Sequence, residues 1–297
     1  MSTATVEPTT FLWLEITGRC QLECTHCYAD SSPLGDHGTM STTDWRAVID
    51  AAAELEVGMV QLIGGEPTLH PDLPDLVDYA LTAGIDVEIY TNLLHVTDAL
   101  WKVFTRPGVR LATSYYAADP AGHEAVTGRK GSHGRTRANI AEAVRRSVPL
   151  RVGLIDTGNG GDVDAAHADL LTLGVSDEEI GMDQARGFGR AATIDVDLGG
   201  TCGDCGHGTA AIGPDGTVTP CVFTRHAVAG NVHSTALGAI LAGGSFSAQV
   251  ERLDQLRRTT TVACKPNPKC APASSCAPSC TPSDTGNKGS NCKPKGK

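Results

Sequence analysis

The chain has 297 residues, 40% of them hydrophobic and 20% charged, values of a globular protein with one large domain or a large and a small one. Its 24 Lys and Arg against 34 Asp and Glu leave a formal charge of −10, which repels a phosphate backbone and argues against nucleic-acid or anionic-membrane partners. No apolar run approaches the roughly 18 residues of a membrane span, and the opening MSTATVEPTT has neither the basic nor the apolar region of a secretory signal, so a cytoplasmic location is expected.

Residues 1–10 read as an N-terminal extension. From there to about residue 197, short runs rich in Val, Ile and Leu alternate with segments of helical period, the pattern of successive βα units around a parallel sheet. Strands are expected at 11–16, 59–63, 86–91, 110–114, 150–156 and 179–182. The first helix starts where Ser41 and Thr42 precede Asp44, Trp45 and the apolar positions Val48, Ile49, Ala52 and Ala53. Further helices are expected at 74–82, 97–104, 136–146 and 162–173. Six such repeats are too few for a closed eight-fold barrel and fit a partial barrel or an open wound sheet. From residue 198 to 297 a second, smaller domain is expected. Thr209 to Ile212, the turn Pro214-Asp215-Gly216 and Thr217 to Val222 read as a β-hairpin, and 237–256 as one helix weakened by Gly243 and Gly244. From Cys264 to Lys297 Pro, Ser, Lys and Cys dominate, a composition that cannot bury a core of its own.

Eleven cysteines organise the function. In a reducing compartment such a count points to metal or redox chemistry rather than disulfides. Cys20-Gln-Leu-Glu-Cys24-Thr-His-Cys27 follows the first expected strand directly. Three thiolates in so short a loop can wrap one ion or cluster, and three rather than four leave a coordination position for chemistry. A zinc site completed by His26 or His37 is the alternative. Gly64-Gly65-Glu66-Pro67 closes the second strand, where glycines let backbone approach a ligand at the carboxyl edge of a parallel sheet.

In this order and on these elements, the two motifs resemble the radical S-adenosylmethionine (radical SAM) superfamily. The resemblance implies an α/β fold, a partial (β/α)6 barrel, with a [4Fe-4S] cluster on Cys20, Cys24 and Cys27. That cluster binds S-adenosylmethionine and cleaves it reductively to a 5′-deoxyadenosyl radical, electrons coming from a donor such as flavodoxin or ferredoxin. By position the Gly64-Gly65-Glu66-Pro67 loop falls to the cofactor, Gly64 to Glu66 holding its amino group, and His26 stands against adenine. Thr91-Asn92 matches the family's turn after the third strand, with Leu93 in place of its glycine. Ser114 and Arg129 resemble residues that contact the cofactor's carboxylate, a solvent-exposed loop being the other reading of Arg129.

The eight later cysteines are spaced C-x2-C-x15-C over Cys202, Cys205 and Cys221, then C-x5-C-x5-C-x3-C-x11-C over Cys264, Cys270, Cys276, Cys280 and Cys292. Eight thiolates suffice for two four-thiolate clusters. With the hairpin motif Gly216-Thr-Val-Thr-Pro-Cys221, they resemble the SPASM extension of radical SAM enzymes, although the first interval of the second set is five residues rather than two. The resemblance implies one auxiliary cluster on Cys202, Cys205, Cys221 and Cys280 and a second on Cys264, Cys270, Cys276 and Cys292, whose ligand bonds would tie the tail back. A zinc ribbon and a single-cluster twitch extension are the alternatives, and iron analysis separates them: roughly twelve iron per chain for three cubanes, roughly eight for two.

With every cysteine so assigned, no thiol is left to return a hydrogen atom to a substrate radical, which favours net oxidation. The SPASM resemblance implies a radical SAM oxidoreductase acting on a ribosomally made peptide, by crosslinking or side-chain oxidation, leader recognition falling to a separate protein or a docking surface. A small-molecule dehydrogenase or mutase is the second reading, and a non-catalytic iron–sulfur electron carrier the third. Asp183, Arg186 and Arg190 are placed to face the barrel mouth, with an exposed surface loop as the other reading. No residue identifies itself as the catalytic acid or base.

Overall fold

The computed structural model describes residues 8–158, 162–192 and 201–259. The barrel part runs β1 (Phe11–Thr17), α1 (Thr42–Glu54), β2 (Met59–Gly64), α2 (Leu73–Thr82), β3 (Asp86–Tyr90), α3 (Asp98–Phe104), β4 (Val109–Tyr115), α4 (Pro120–Thr127), α5 (Ser132–Arg145), β5 (Leu150–Asp156), α6 (Val163–Thr172) and β6 (Ile180–Gln184). It is followed by β7 (Thr209–Ile212), β8 (Thr217–Thr219), β9 (Gly230–Asn231), α7 (Leu237–Leu241) and α8 (Gly244–Thr259). All nine strands join one sheet in the order β6-β5-β4-β3-β2-β1-β7-β8-β9. The first six are mutually parallel and leave the sheet open, a partial barrel. β7 then adds in parallel to the free side of β1, Phe11 opposite Thr209, before the chain reverses into the hairpin. The extension is thus built onto the barrel's own sheet.

Strand alternation separates two environments. Leu12, Leu14, Val60, Leu62, Val87, Ile89, Val152 and Leu154 point outward and pack beneath the helices against Trp45, Ile49, Leu76 and Phe104. The alternate residues point inward: Trp13, Gln61, Tyr90, Ser114, Arg151, Gly153 and Asp183 line an interior cavity. Below it lies a buried charge cluster. Glu88 of β3, fully buried, accepts from Arg110 Nε at 2.7 Å, from Arg151 Nη2 at 2.7 Å and from Gln61. Burial alone would raise the Glu88 carboxyl, but the two guanidiniums outweigh it and hold the group below its usual range. Removing one partner of such a group strands the others. Glu88→Ala should therefore cost about 3 kcal/mol, the low end of the range for a broken buried pair because both arginines retain some water; a lowered urea midpoint at unchanged slope would register it.

Two expectations are corrected. The helix expected over 237–256 is two helices, because the chain turns at Ala242 and Gly243: α7 ends at Leu241 and α8 begins at Gly244. The adjacent glycines lower helix propensity where the break falls. The segment before the fourth expected helix, where no helix was expected, contains α4, and α5 starts four residues earlier than the expected 136. α4 is short but fully punctuated. Asp119 caps it by accepting from Gly122 N, Pro120 opens it, and Gly128 at φ 68 ends it in the left-handed conformation.

Candidate active site

The loop after β1 brings Cys20, Cys24 and Cys27 to the cavity. None of the described cysteines is disulfide-bonded. Burial, with the Glu66 carboxylate nearby, pushes the Cys20 thiol up to about 12, and burial, with Cys27 beside it, pushes Cys24 up to about 12. Cys20 and Cys24 so placed are costly as bare anions and call for positive charge, which iron would supply. Backbone amides already point at the sulfurs: Leu22 N at 3.4 Å from Cys20 Sγ and Ser31 N at 3.4 Å from Cys27 Sγ. Among the described residues no three His, Cys, Asp or Glu side chains form a group that could hold a metal ion. A cubane asks for a different arrangement, since each thiolate takes a different iron. Of the histidines in the zinc alternative, His37 is engaged elsewhere, its Nδ1 2.9 Å from Thr17 Oγ1. His26 lines the cavity with its ring edge-on to Tyr116, centroids 5.0 Å apart, and burial together with Arg190 lowers it to about 4.

The glycine loop is laid against the segment that leads into Cys20. Gly65 N donates to Thr17 O at 2.7 Å and Glu66 N to Arg19 O at 2.8 Å. A Cβ on Gly64, whose φ is 133, would overlap the Thr17 carbonyl oxygen, and one on Gly65 the Arg19 carbonyl oxygen. Both glycines line the cavity, whereas Glu66 and Pro67 stand behind it. The Glu66 carboxylate is fully buried and fastens two loops: it accepts from Thr68 N and Oγ1, from Thr91 Oγ1 at 2.7 Å and from Asn92 N at 2.8 Å. Leu93 adopts φ 53, a conformation in which glycine is unstrained, and the turn is held in place by Thr136 Oγ1 donating to Asn92 O and Asn139 Nδ2 to Leu93 O. Asn92 lines the cavity and touches Gln21 in the cysteine loop, and Ser114 lines it with its hydroxyl 2.9 Å from Tyr90 OH. Arg129 lies outside the lining residues and donates instead to Gln21 O at 2.9 Å.

The second cysteine group reaches the same cavity. Cys202, Cys205 and Cys221 all line it, and the neighbouring Cys202 and Cys221, together with burial, raise the Cys205 thiol well above its usual range. Cys264, Cys270, Cys276, Cys280 and Cys292 lie outside the described residues. Side chains next to each group interlock. Tyr28, which follows Cys27, packs at a tilt against Phe223 with centroids 5.0 Å apart. Buried Glu15 accepts from Tyr28 OH at 3.0 Å and from Arg225 Nη2 at 2.5 Å, and the Arg225 guanidinium sits over the Tyr28 ring.

The three polar residues after β6 divide. Asp183 and Arg186 line the cavity as a partly buried pair at 2.8 Å, with Arg186 also over the Phe223 ring. Burial raises the Asp183 carboxyl although Arg186 opposes it. Arg190 instead braces the cysteine loop, donating to Cys24 O at 2.8 Å, Ser31 O at 2.8 Å and Asp30 Oδ1 at 3.1 Å. Sequence reasoning missed Tyr116 and His123, both lining the cavity. The cap signals of α4 would have placed His123 on a helix beside β4.

An open parallel sheet with a three-cysteine loop after its first strand and a glycine loop after its second defines the class. The model for the radical SAM superfamily matches residues 14–171, and the model for the SPASM iron–sulfur cluster-binding domain matches residues 202–278. The chain belongs to the radical SAM superfamily. It is similar to the PqqA peptide cyclase of Xanthomonas campestris pv. campestris (strain B100), 30% identical over 188 residues, which are 63% of this chain and 50% of that protein. The chain thus spans about half the length of the curated relatives it matches. Among solved structures it resembles Streptococcus suis SuiB bound to S-adenosylmethionine, with TM-score 0.67, 14% identity, and 82% of this chain and 67% of that chain covered. It also resembles anSMEcpe with bound AdoMet, with TM-score 0.65, 13% identity, and 83% and 84% covered. The two matched domains imply iron–sulfur clusters and S-adenosylmethionine. No helix among the described residues is long and apolar enough to cross a membrane.

Proposed function

We propose that this protein oxidatively modifies a peptide side chain, forming a crosslink or a desaturated product. One observation carries the reading: a single cavity of about 690 Å³ is lined by both cysteine groups together. An electron carrier needs no such cavity. Similarity to PqqA peptide cyclases, and to SuiB, which has been captured with precursor peptide SuiA, supports a peptide rather than a small molecule.

Cys20, Cys24 and Cys27 would hold the catalytic cluster, and Cys202, Cys205 and Cys221, with Cys280, an auxiliary one. When bound, these groups supply the redox chemistry: S-adenosylmethionine with its cluster a hydrogen-abstracting 5′-deoxyadenosyl radical, and the auxiliary cluster a sink for the second electron. The protein does the rest. The bare backbone at Gly64 and Gly65 admits the cofactor's amino acid moiety. Trp13, Tyr28 and Phe223 wall the cavity with rings that shed water around the reacting carbon. Losing a hydrogen atom and an electron, the substrate must also lose a proton, and Asp183, a lining carboxylate with a raised proton affinity, is placed to accept it.

Anaerobically reconstituted protein incubated with its peptide and dithionite should consume S-adenosylmethionine stoichiometrically and yield a product two mass units lighter. An isomeric product would overturn the oxidative reading. Asp183→Asn should lower product formation by about 10²–10⁴-fold while 5′-deoxyadenosine is still made. Parallel loss of both would place Asp183 in cofactor binding instead. Electrons for the cluster would come from a flavodoxin or ferredoxin.

A further inference from the structure

Two arginines line the cavity, Arg151 and Arg186. Arg151 is bound to buried Glu88, its Nη2 at 2.7 Å, in the charge cluster below. Arg186 stands instead beside the hairpin cysteines. Its guanidinium lies over the Phe223 ring, 5.0 Å from the centroid, and Phe223 packs against the buried cluster that contains Cys205 and Cys221. The charges there act on one another. Burial disfavours the Arg186 cation, but Asp183 and then Cys202 and Cys221 outweigh it, and Cys202 in turn adds to the burial that raises the Asp183 carboxyl.

Arg186 and Asp183 are three residues apart in one loop, with side chains only 8% and 18% exposed. Taking two charges that far out of water costs several kcal/mol per ion, which mutual attraction does not always repay. Bracing a short loop is therefore a weak reason for an ion pair at this position. A guanidinium here has an electrostatic consequence as well. Arginine is charged at every working pH, and an electron added to a thiolate-held cluster makes a negative centre more negative. Net charge close by is among the factors that set the potential of such a cluster. A cation favours the reduced state, and a carboxylate opposes it.

We propose that Arg186 raises the reduction potential of the cluster held at Cys202, Cys205 and Cys221, and that Asp183 moderates this by offsetting its charge. This rests on the reading of those cysteines as ligands of an auxiliary cluster. The electron that leaves the substrate radical reduces this cluster by one electron, while the proton passes to Asp183. Arg186 thus places positive charge where the electron must arrive.

Anaerobic redox titration of reconstituted holoenzyme, followed by electron paramagnetic resonance, reads the potential without turnover. The signal to follow is the one that Cys221→Ala lacks. Asp183→Asn, which removes the offsetting carboxylate, should shift the one-electron equilibrium about tenfold toward the reduced cluster, the order expected for one charge at an effective dielectric constant of about 20. For one electron a tenfold shift is about 59 mV. Adding Arg186→Gln should cancel that rise, and adding Arg186→Lys instead, which keeps the charge, should retain most of it. No rise in Asp183→Asn, or a rise that survives Arg186→Gln, overturns the role of Arg186. If the double variant with Gln takes up less iron than unaltered protein, Arg186→Gln alone decides: its potential should fall by the same amount, and an unchanged or higher one overturns the role. Loss of auxiliary iron from both Gln variants makes Arg186 a structural brace and overturns it too. If unaltered protein shows no signal beyond those of Cys221→Ala, the auxiliary-cluster assignment itself is overturned.

Discussion

Replacing Cys24 by Ala should abolish 5′-deoxyadenosine formation and remove about four iron per chain from reconstituted protein. The physical ground is the loop itself. Its three thiols line the cavity, backbone amides point at Cys20 and Cys27, and Arg190 holds the loop through the Cys24 carbonyl. Deleting one sulfur leaves the backbone brace intact and takes away only the ligand, so the folded protein should persist without a competent cluster. Cys221→Ala gives the contrast. It should also lose about four iron, yet keep the capacity to cleave S-adenosylmethionine, because Cys221 belongs to the hairpin group in contact with Cys205. If Cys24→Ala and Cys221→Ala proved indistinguishable in 5′-deoxyadenosine yield, the division of the described cysteines into a catalytic and an auxiliary set would be wrong.

Gly65→Ala should rank next in effect. Its new methyl would fall on the Arg19 carbonyl, 2.6 Å from the carbonyl carbon and 3.0 Å from Gly18 C. These are backbone atoms, and two hydrogen bonds, Gly65 N to Thr17 O and Glu66 N to Arg19 O, hold the loops at that distance. The strands cannot part without breaking them. Overpacking of this kind costs about 1–3 kcal/mol, which a urea titration reads directly. A larger consequence should appear in binding, because the displaced segment leads into Cys20: affinity for S-adenosylmethionine should fall at least about tenfold, the equivalent of 1.4 kcal/mol. Unchanged stability together with unchanged affinity would show that the loop tolerates a side chain and is not a close-approach surface.

The barrel's rhythm was readable because each parallel strand is an apolar run followed by a helical period, and all six expected barrel strands are present in the expected order. Inward-facing polar residues were harder to read. Gln61, Glu88 and Arg151 interrupt apolar strands, and only the register across β2, β3 and β5 shows that they satisfy one another. Glu66 is a similar case. Its motif names it, and only the tertiary structure shows its carboxylate accepting from Thr68, Thr91 and Asn92. Leu93 was noted in the place of a glycine, and its φ of 53 shows what the glycine would have relieved. α4 was missed because eight residues carry too little apolar period to announce a helix, although its caps were in plain view.

The sequence by itself determined what lies within a loop's reach: three cysteines in one short segment, a glycine pair at a strand's end, a hairpin around Pro214-Asp215-Gly216. Such features depend on spacing and local conformation, which neighbouring residues dictate. Only the tertiary structure decided that the two cysteine groups share one cavity. That follows from β7 adding to the free side of β1, with Phe11 opposite Thr209, and from contacts such as Glu15 with Arg225, 210 residues apart. No local propensity encodes a pairing across that distance. It arises when the open side of a parallel sheet must satisfy its backbone hydrogen bonds, and the strand that does so carries the second cysteine group to the first.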